Sequence, residues 1–300
     1  MPANIHIFLK KYLKCFERNY KFYYIRGVLV NYDTMIEVKN LSYAYSSALV
    51  LDDINTVFEN GKIYGLLGAN GVGKSTLFKL LCGLLTAKKG TIEIDGCSPI
   101  GRKPSYLSKI FYIPEDFEGP DTSIINYASG VSCFYPNYDS EMFARLLEEF
   151  EIDPSAKFTK LSLGQRKRAI LALGIALGTE YLFLDEPTNG LDIPSKADFR
   201  RMIAATMNEK RTVIISTHQV RDVENLLDHI MILDKRAVLL DKSVSDIQKE
   251  YNFDIAISAP DDALYVEQGL GGCCYITNNT TGEESRINIE LLFNYINSKK

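Results

Sequence analysis

The chain has 300 residues, 46% hydrophobic and 24% charged, enough to bury a sizeable core in one large domain or one domain with a small appendage. A formal net charge of -4 gives no reason to expect a nucleic-acid partner. The six cysteines lack zinc-finger spacing, no run of about 18 apolar residues occurs, and the start lacks a signal-peptide pattern. The expectation is therefore a protein with reduced thiols, no disulfide framework and no membrane-spanning helix.

Residues 1–34 carry six basic residues against Glu17 and Asp33, so a basic start precedes an acidic body. Ile5, Phe8, Leu9, Tyr12, Leu13, Phe16 and Tyr20 draw an apolar stripe at helical spacing. Two readings stay open here: a basic amphipathic helix on a membrane surface, or an extension ahead of a true start at Met35. From Met35 the pattern is strand and turn, with strands expected at Ile36–Val38, Tyr43–Tyr45 and Ile54–Phe58, then a turn at Asn60-Gly61.

Ile63–Leu67 is a short apolar run that fits a buried strand, and Gly68-Ala69-Asn70-Gly71-Val72-Gly73-Lys74-Ser75 follows it directly. This octet fits G-x-x-x-x-G-K-[ST] between a strand and a helix. Its glycines let backbone N–H groups face phosphates, and the helix N-terminus adds a positive dipole end. Lys74 neutralises β- and γ-phosphate charge, Ser75 offers a hydroxyl to Mg²⁺, and Thr76 can donate to the α-phosphate. The loop thus predicts a nucleoside triphosphate and by itself no particular chemistry. The next helix is predicted to bury Leu77, Phe78, Leu80, Leu81 and Leu84, and Gly90–Gly96 reads as a strand ending in a turn.

Residues 121–150 change character, with Asp139-Ser140 capping a helix that carries Phe143, Leu146, Leu147 and Phe150. Phe134-Tyr135-Pro136-Asn137-Tyr138 is an aromatic cluster suited either to an apolar contact with a partner or to the subdomain core. Ala169–Leu177 reads as an apolar helix, and Tyr181–Leu184, Val213–Ile215 and Ile230–Leu233 as buried strands. Alternating strands and helices imply an α/β fold with a largely parallel sheet. After about residue 250 short strands alternate with turn residues, and a closing helix is expected over Ile289–Ile296.

Four segments narrow the family. Leu161-Ser162-Leu163-Gly164-Gln165 resembles the signature of ATP-binding cassette (ABC) ATPases, LSGGQ. Tyr181–Glu186 resembles their Walker B strand with a following glutamate, Asn189-Gly190-Leu191-Asp192 their D-loop, and Ser216-Thr217-His218 their switch histidine. Their order and spacing make the set far more specific than any one part, and it covers about residues 35–245. The resemblance implies a P-loop NTPase core (residues 35–250) with an antiparallel β subdomain and a helical insertion at about 120–165. A small C-terminal α+β appendage (251–300) would follow.

Ser75, Asp185 and Glu115 would then hold Mg²⁺, Glu186 would polarise the attacking water, and His218 would sense the γ-phosphate. Tyr45 stands where the family stacks an aromatic on adenine. Ser162, Gly164 and Gln165 would bind the γ-phosphate of a second cassette, implying a dimer, most simply a homodimer. An integral membrane permease on a separate chain would be the other partner, placing the protein peripherally on the cytoplasmic face of the cell membrane. Within the family, the stretch from Phe134 to Tyr138 and Ala263-Leu264-Tyr265 resemble bacterial exporter-like cassettes.

Two positions depart from the family pattern: Glu115 replaces the Q-loop glutamine, and Leu163 replaces the first signature glycine. The alternative function is a soluble cassette ATPase acting on a ribosome, DNA or a scaffold. A single cassette without a charged linker, and only about 85 residues between Lys74 and Lys160, argue against it.

Overall fold

The first sheet is built on alternation of buried and exposed positions, with a change of phase in β3. In β3 (Met35–Tyr45), Ile36 and Val38 point inward while Lys39 points out, and farther along Leu41 and Tyr43 are the buried ones. The switch from even to odd positions marks one extra residue. The pairing register with β4 (Ala48–Glu59) shifts between Val38 and Leu41, and Asn40 has φ +48°. The two strands expected from the sequence, Ile36–Val38 and Tyr43–Tyr45, are thus one bulged strand. β6 (Lys89–Ile94) pairs on its other side, giving the antiparallel order β4-β3-β6. The computed structural model describes the backbone of residues 22–25 and 28–31, and residues 35–280, 282 and 285–299. The apolar stripe from Ile5 to Tyr20 lies outside them. β1 (Phe22–Ile25) and β2 (Val28–Asn31) form an antiparallel pair.

The second sheet runs β11-β10-β5-β9-β8-β7, parallel throughout except for the edge strand β11 (Ala237–Ser243). β5 (Ile63–Leu67), β8 (Tyr181–Asp185) and β9 (Thr212–Thr217) are buried at every position, as a parallel sheet covered on both faces requires. β7 (Ile110–Ile113) and β10 (His229–Asp234) complete it. Alternate residues feed two cores. Leu182, Leu184, Val213 and Ile215 face the helical side, while Tyr181, Phe183 and Ile214 face α1 (Lys74–Leu81) and the antiparallel sheet. The helix α1 ends at Leu81, so Leu84 lies beyond it and is 52% exposed, not part of the apolar face expected of it.

After the single turn α2 (Pro104–Leu107), α3 (Ile124–Ser132) and α4 (Ser140–Glu149) follow, capped by Ser123 and Asp139. The aromatic cluster divides. Tyr135 stacks on Phe111 and donates to Ile110 O (3.2 Å), Tyr138 packs on Phe143, and Phe134 alone is 72% exposed. Helix α5 (Leu163–Ala176) is held at its end by the buried Arg211, which donates to Thr179 O (3.1 Å) and Ile175 O (3.2 Å). α6 (Ile193–Thr206) starts on the Asp192 cap.

Beyond α7 (Val244–Glu250), β12 (Tyr251–Ala256), β13 (Tyr265–Gly269) and β14 (Gly272–Asn278) pair in the antiparallel order β12-β14-β13. Phe253 and Ile276 share a core with α8 (Ile289–Ser298). Cys273 is buried and Cys274 half-buried on opposite faces of β14, and both are free thiols. Among the described residues no helix is long and apolar enough to cross a membrane.

Candidate active site

The phosphate-type loop joins β5 to α1 across the carboxyl edge of the parallel sheet, the edge where open α/β folds bind ligands. Gly73 has φ +113°, and a Cβ there would come within 2.8 Å of Leu51 Cδ2 and 3.2 Å of Val50 Cγ1, so glycine is required. Lys74 is buried, and its Nζ turns back to donate to Gly68 O (2.8 Å) and Ala69 O (3.2 Å). The loop therefore curls around its own ammonium, with Asn70 and Gly71 exposed at its tip. Ser75 is half-buried and Thr76 buried in the first turn of α1. No side chain caps this helix among the described residues, and its first-turn N–H groups are suited to an anion.

Two carboxylates end β8, and their surroundings differ. Asp185 is 3% exposed and accepts from two hydroxyls, Ser216 Oγ at Oδ1 and Tyr112 OH at Oδ2 (3.0 Å). Burial, reinforced by the Asp185 charge, pushes the Tyr112 hydroxyl pKa well up, so it stays a donor. Glu186 has φ +45°, a sparsely populated backbone state for this residue type. Its N–H donates to Ser216 O (3.0 Å) and Ser216 Oγ (3.2 Å). Its carboxylate is bracketed, with Lys74 Nζ 3.1 Å from Oε1 and His218 Nδ1 2.9 Å from Oε2, while His218 N–H donates to Oε2 at 3.3 Å. Lys74, Glu186 and His218 thus form one chain of polar contacts from the glycine-rich loop to the end of β9.

The expected metal ligand Glu115 engages elsewhere: its Oε1 accepts from Asn189 Nδ2 at 2.7 Å. Lys167, on the first turns of α5, donates to Asn189 O (2.7 Å) and Glu186 O (3.2 Å). Sequence reasoning assigned no role to Lys167 or Tyr112. Lys167 sits among Arg166 and Arg168, and a run of basic residues carries no sign of which one turns inward.

Ser162 caps α5 in a reciprocal box, Gln165 N–H donating to Ser162 Oγ (3.2 Å) and Ser162 N–H to Gln165 Oε1 (3.1 Å). Ser162 is exposed and Gly164 half-buried. Leu163 lies over Gly190 so closely that a Cβ there would come 2.8 Å from Leu163 Cδ2, yet its side chain stays 47% exposed. No hydrogen bond or ion pair among the described residues joins Ser162, Gly164 or Gln165 to the glycine-rich loop. Tyr45, at the end of β3, is 43% exposed with its ring edge-on to Tyr43 at 5.0 Å.

Residues 51–189 match the family described as "ABC transporter". The chain is 31% identical over 221 residues to the ABC transporter ATP-binding protein YtrB of Bacillus subtilis, an alignment covering 72% of this chain and 75% of that protein. The chain belongs to the ABC transporter ATP-binding family. It is 32% identical over 213 residues to the bacitracin transport ATP-binding protein BcrA of Bacillus licheniformis, covering 69% of each. A solved ATP-binding subunit of an ABC transporter superposes with a TM-score of 0.64 at 26% identity, covering 71% of this chain and 92% of that one. The cassette is thus an ATP-binding subunit, an ATPase whose hydrolysis is coupled to transport through a membrane permease.

Proposed function

We propose that this cassette powers a permease carried on a separate chain by pairing with a second copy of itself around ATP, with Glu186 as the base that activates water. The observation that carries the reading is the Lys74–Glu186–His218 chain, with both Lys74 and Glu186 nearly sealed from solvent. Phosphate oxygens at the Gly68–Ser75 loop would draw Lys74 away from Glu186, leaving the carboxylate free to accept a hydrogen bond from water. His218, at the surface beside Glu186, would then face the γ-phosphate, and Tyr45 would lie against adenine.

On this reading residues 35–250 are the ATP-binding domain, with a helical insertion at about 120–165, and 251–300 an appendage. Exposed Ser162 and half-buried Gly164, apart from this chain's own loop, suit contact with the nucleotide of the second copy.

The donor set fits Mg²⁺. Asp185 is a buried carboxylate whose partners are hydroxyls rather than a cation, and Ser75 offers a hard hydroxyl oxygen at the start of α1. Glu115, whose Oε1 is held by Asn189, would join through its other oxygen. When bound, Mg²⁺ supplies charge neutralisation at the β- and γ-phosphates.

Glu186→Gln tests the proposal. Steady-state hydrolysis should fall about 10²–10⁴-fold, while ATP with Mg²⁺ should convert the variant to a dimer in sedimentation velocity. Hydrolysis near the wild-type rate would remove Glu186 as base, and a monomer under saturating ATP would remove the homodimer. Pull-down from native membranes tests the permease: a multi-span protein in stoichiometric amount supports it, and a purely soluble partner argues for the alternative.

A further inference from the structure

We propose that Lys167 is a positioning residue for hydrolysis, its ammonium clamping the turn that carries Glu186 onto the helix that carries Ser162 and Gly164. This rests on the reading of Glu186 as the base.

The turn from Glu186 to Asn189 begins in a strained conformation. A non-glycine residue at positive φ persists only where its surroundings over-determine it. Here both sides of Glu186 are pinned: its N–H by Ser216 O and Oγ, and its C=O by Lys167 Nζ at 3.2 Å. Lys167 also holds Asn189 O at 2.7 Å, where Asn189 N–H closes the turn onto Glu186 O at 3.2 Å. Asn189 in turn donates its side-chain amide to Glu115. One ammonium therefore links the turn to α5, and the turn links onward to the segment after β7.

The placement of this charge needs a reason beyond packing. Lys167 borders a narrow, largely apolar crevice with Phe117, Ile170, Leu171, Pro187 and Leu191. Its two hydrogen-bond acceptors are neutral carbonyls, and burial lowers its pKa, only partly offset by the carboxylates of Glu115, Asp116 and Glu186. A methionine would fill such a space without the desolvation cost. What methionine cannot do is hold two carbonyls that point into the same spot, and those carbonyls belong to the residue proposed as base and to Asn189, which closes its turn. Lys167 makes no bond to the glycine-rich loop, so its removal should leave nucleotide binding intact and misplace the base.

Lys167→Met and Lys167→Gln in the full chain test this, with Glu186→Gln alongside. Two quantities are read: equilibrium binding of a fluorescent ATP analogue, and steady-state ATP hydrolysis. The expected result is analogue affinity within twofold of wild type in at least one variant, with kcat at least tenfold lower and KM little changed. The Gln variant, which keeps an amide donor, should retain more activity than Met. Hydrolysis within threefold of wild type in both variants overturns the proposal, as does loss of analogue binding in step with rate in both. If Glu186→Gln is inactive while Lys167→Met is active, only the clamp fails. If Glu186→Gln is itself active, the assignment of the base fails.

Discussion

The two ends of strand β8 hold nearly the same chemical groups in opposite arrangements. At its amino end, Tyr181 donates to Asp95 (2.8 Å), and Lys109 bonds Asp95 and also Glu180 (3.2 Å). At its carboxyl end, Tyr112 donates to Asp185 (3.0 Å), and Lys74 lies 3.1 Å from Glu186. Each end has a tyrosine whose hydroxyl burial keeps protonated, a lysine and two carboxylates. At the amino end two carboxylates converge on Lys109 and raise its pKa against the lowering effect of burial, so charge is satisfied internally. At the carboxyl end the lysine belongs to a glycine-rich loop, one carboxylate sits at positive φ, and the other is held by hydroxyl partners among the described residues. The lesson is that composition does not separate a structural charge cluster from a working one. What separates them is whether the partners could be exchanged for a ligand.

Substitutions at the two ends should therefore part stability from function. The largest effect is expected for Lys74→Met, which should weaken binding of a fluorescent ATP analogue about 100-fold, since one charge-assisted contact to phosphate is lost. It also strands a buried carboxylate at a cost of about 3–5 kcal/mol. Adding Glu186→Gln to it should recover much of that stability in urea unfolding without recovering binding. If the double variant stays as unstable as Lys74→Met, the ion pair is not what makes the single change costly.

At the other end, Asp95→Asn should cost about 1–3 kcal/mol, read in the same unfolding experiment. Its kcat per folded molecule should stay at the wild-type value; a drop would mean that the amino end is not merely structural. Tyr112→Phe removes one hydrogen bond from Asp185 and should lower the hydrolysis rate only a few-fold, about 1 kcal/mol. The smallest change is expected for Glu115→Gln. The wild type should depend more steeply on Mg²⁺ than this variant, and superimposable Mg²⁺ titrations of nucleotide binding would remove Glu115 from the metal site.

Much of this was legible in the sequence because the informative patterns are local. The octet Gly68–Ser75, the apolar run into Asp185-Glu186 and every single buried strand each sit within a dozen residues. What escaped was set by distance or by a change of phase. One bulge near Asn40 switches the buried face of β3, so a continuous strand reads as two. Leu84 continues the helical period, but the chain has already left the helix at Cys82. Phe134, Tyr135 and Tyr138 look alike as residue types, and only the sheet edge at Ile110 and Phe111 decides which is covered. Lys167 and Glu115 find their partners 19–74 positions along the chain, beyond any periodic signal.

Arg211 gives the signature helix a fixed pivot. Its guanidinium grips carbonyls at and just past the carboxyl end of α5, while Ser162 and Gly164 lie at the opposite end of a 14-residue rod. Such a rod is about 21 Å long, so a tilt of about 10° about the anchored end carries the far tip about 3–4 Å. That is comparable to a hydrogen-bond length. A lever of this kind would swing only if Lys167 released the turn at Glu186, so the pivot at one end and the clamp near the other together fix where the tip lies.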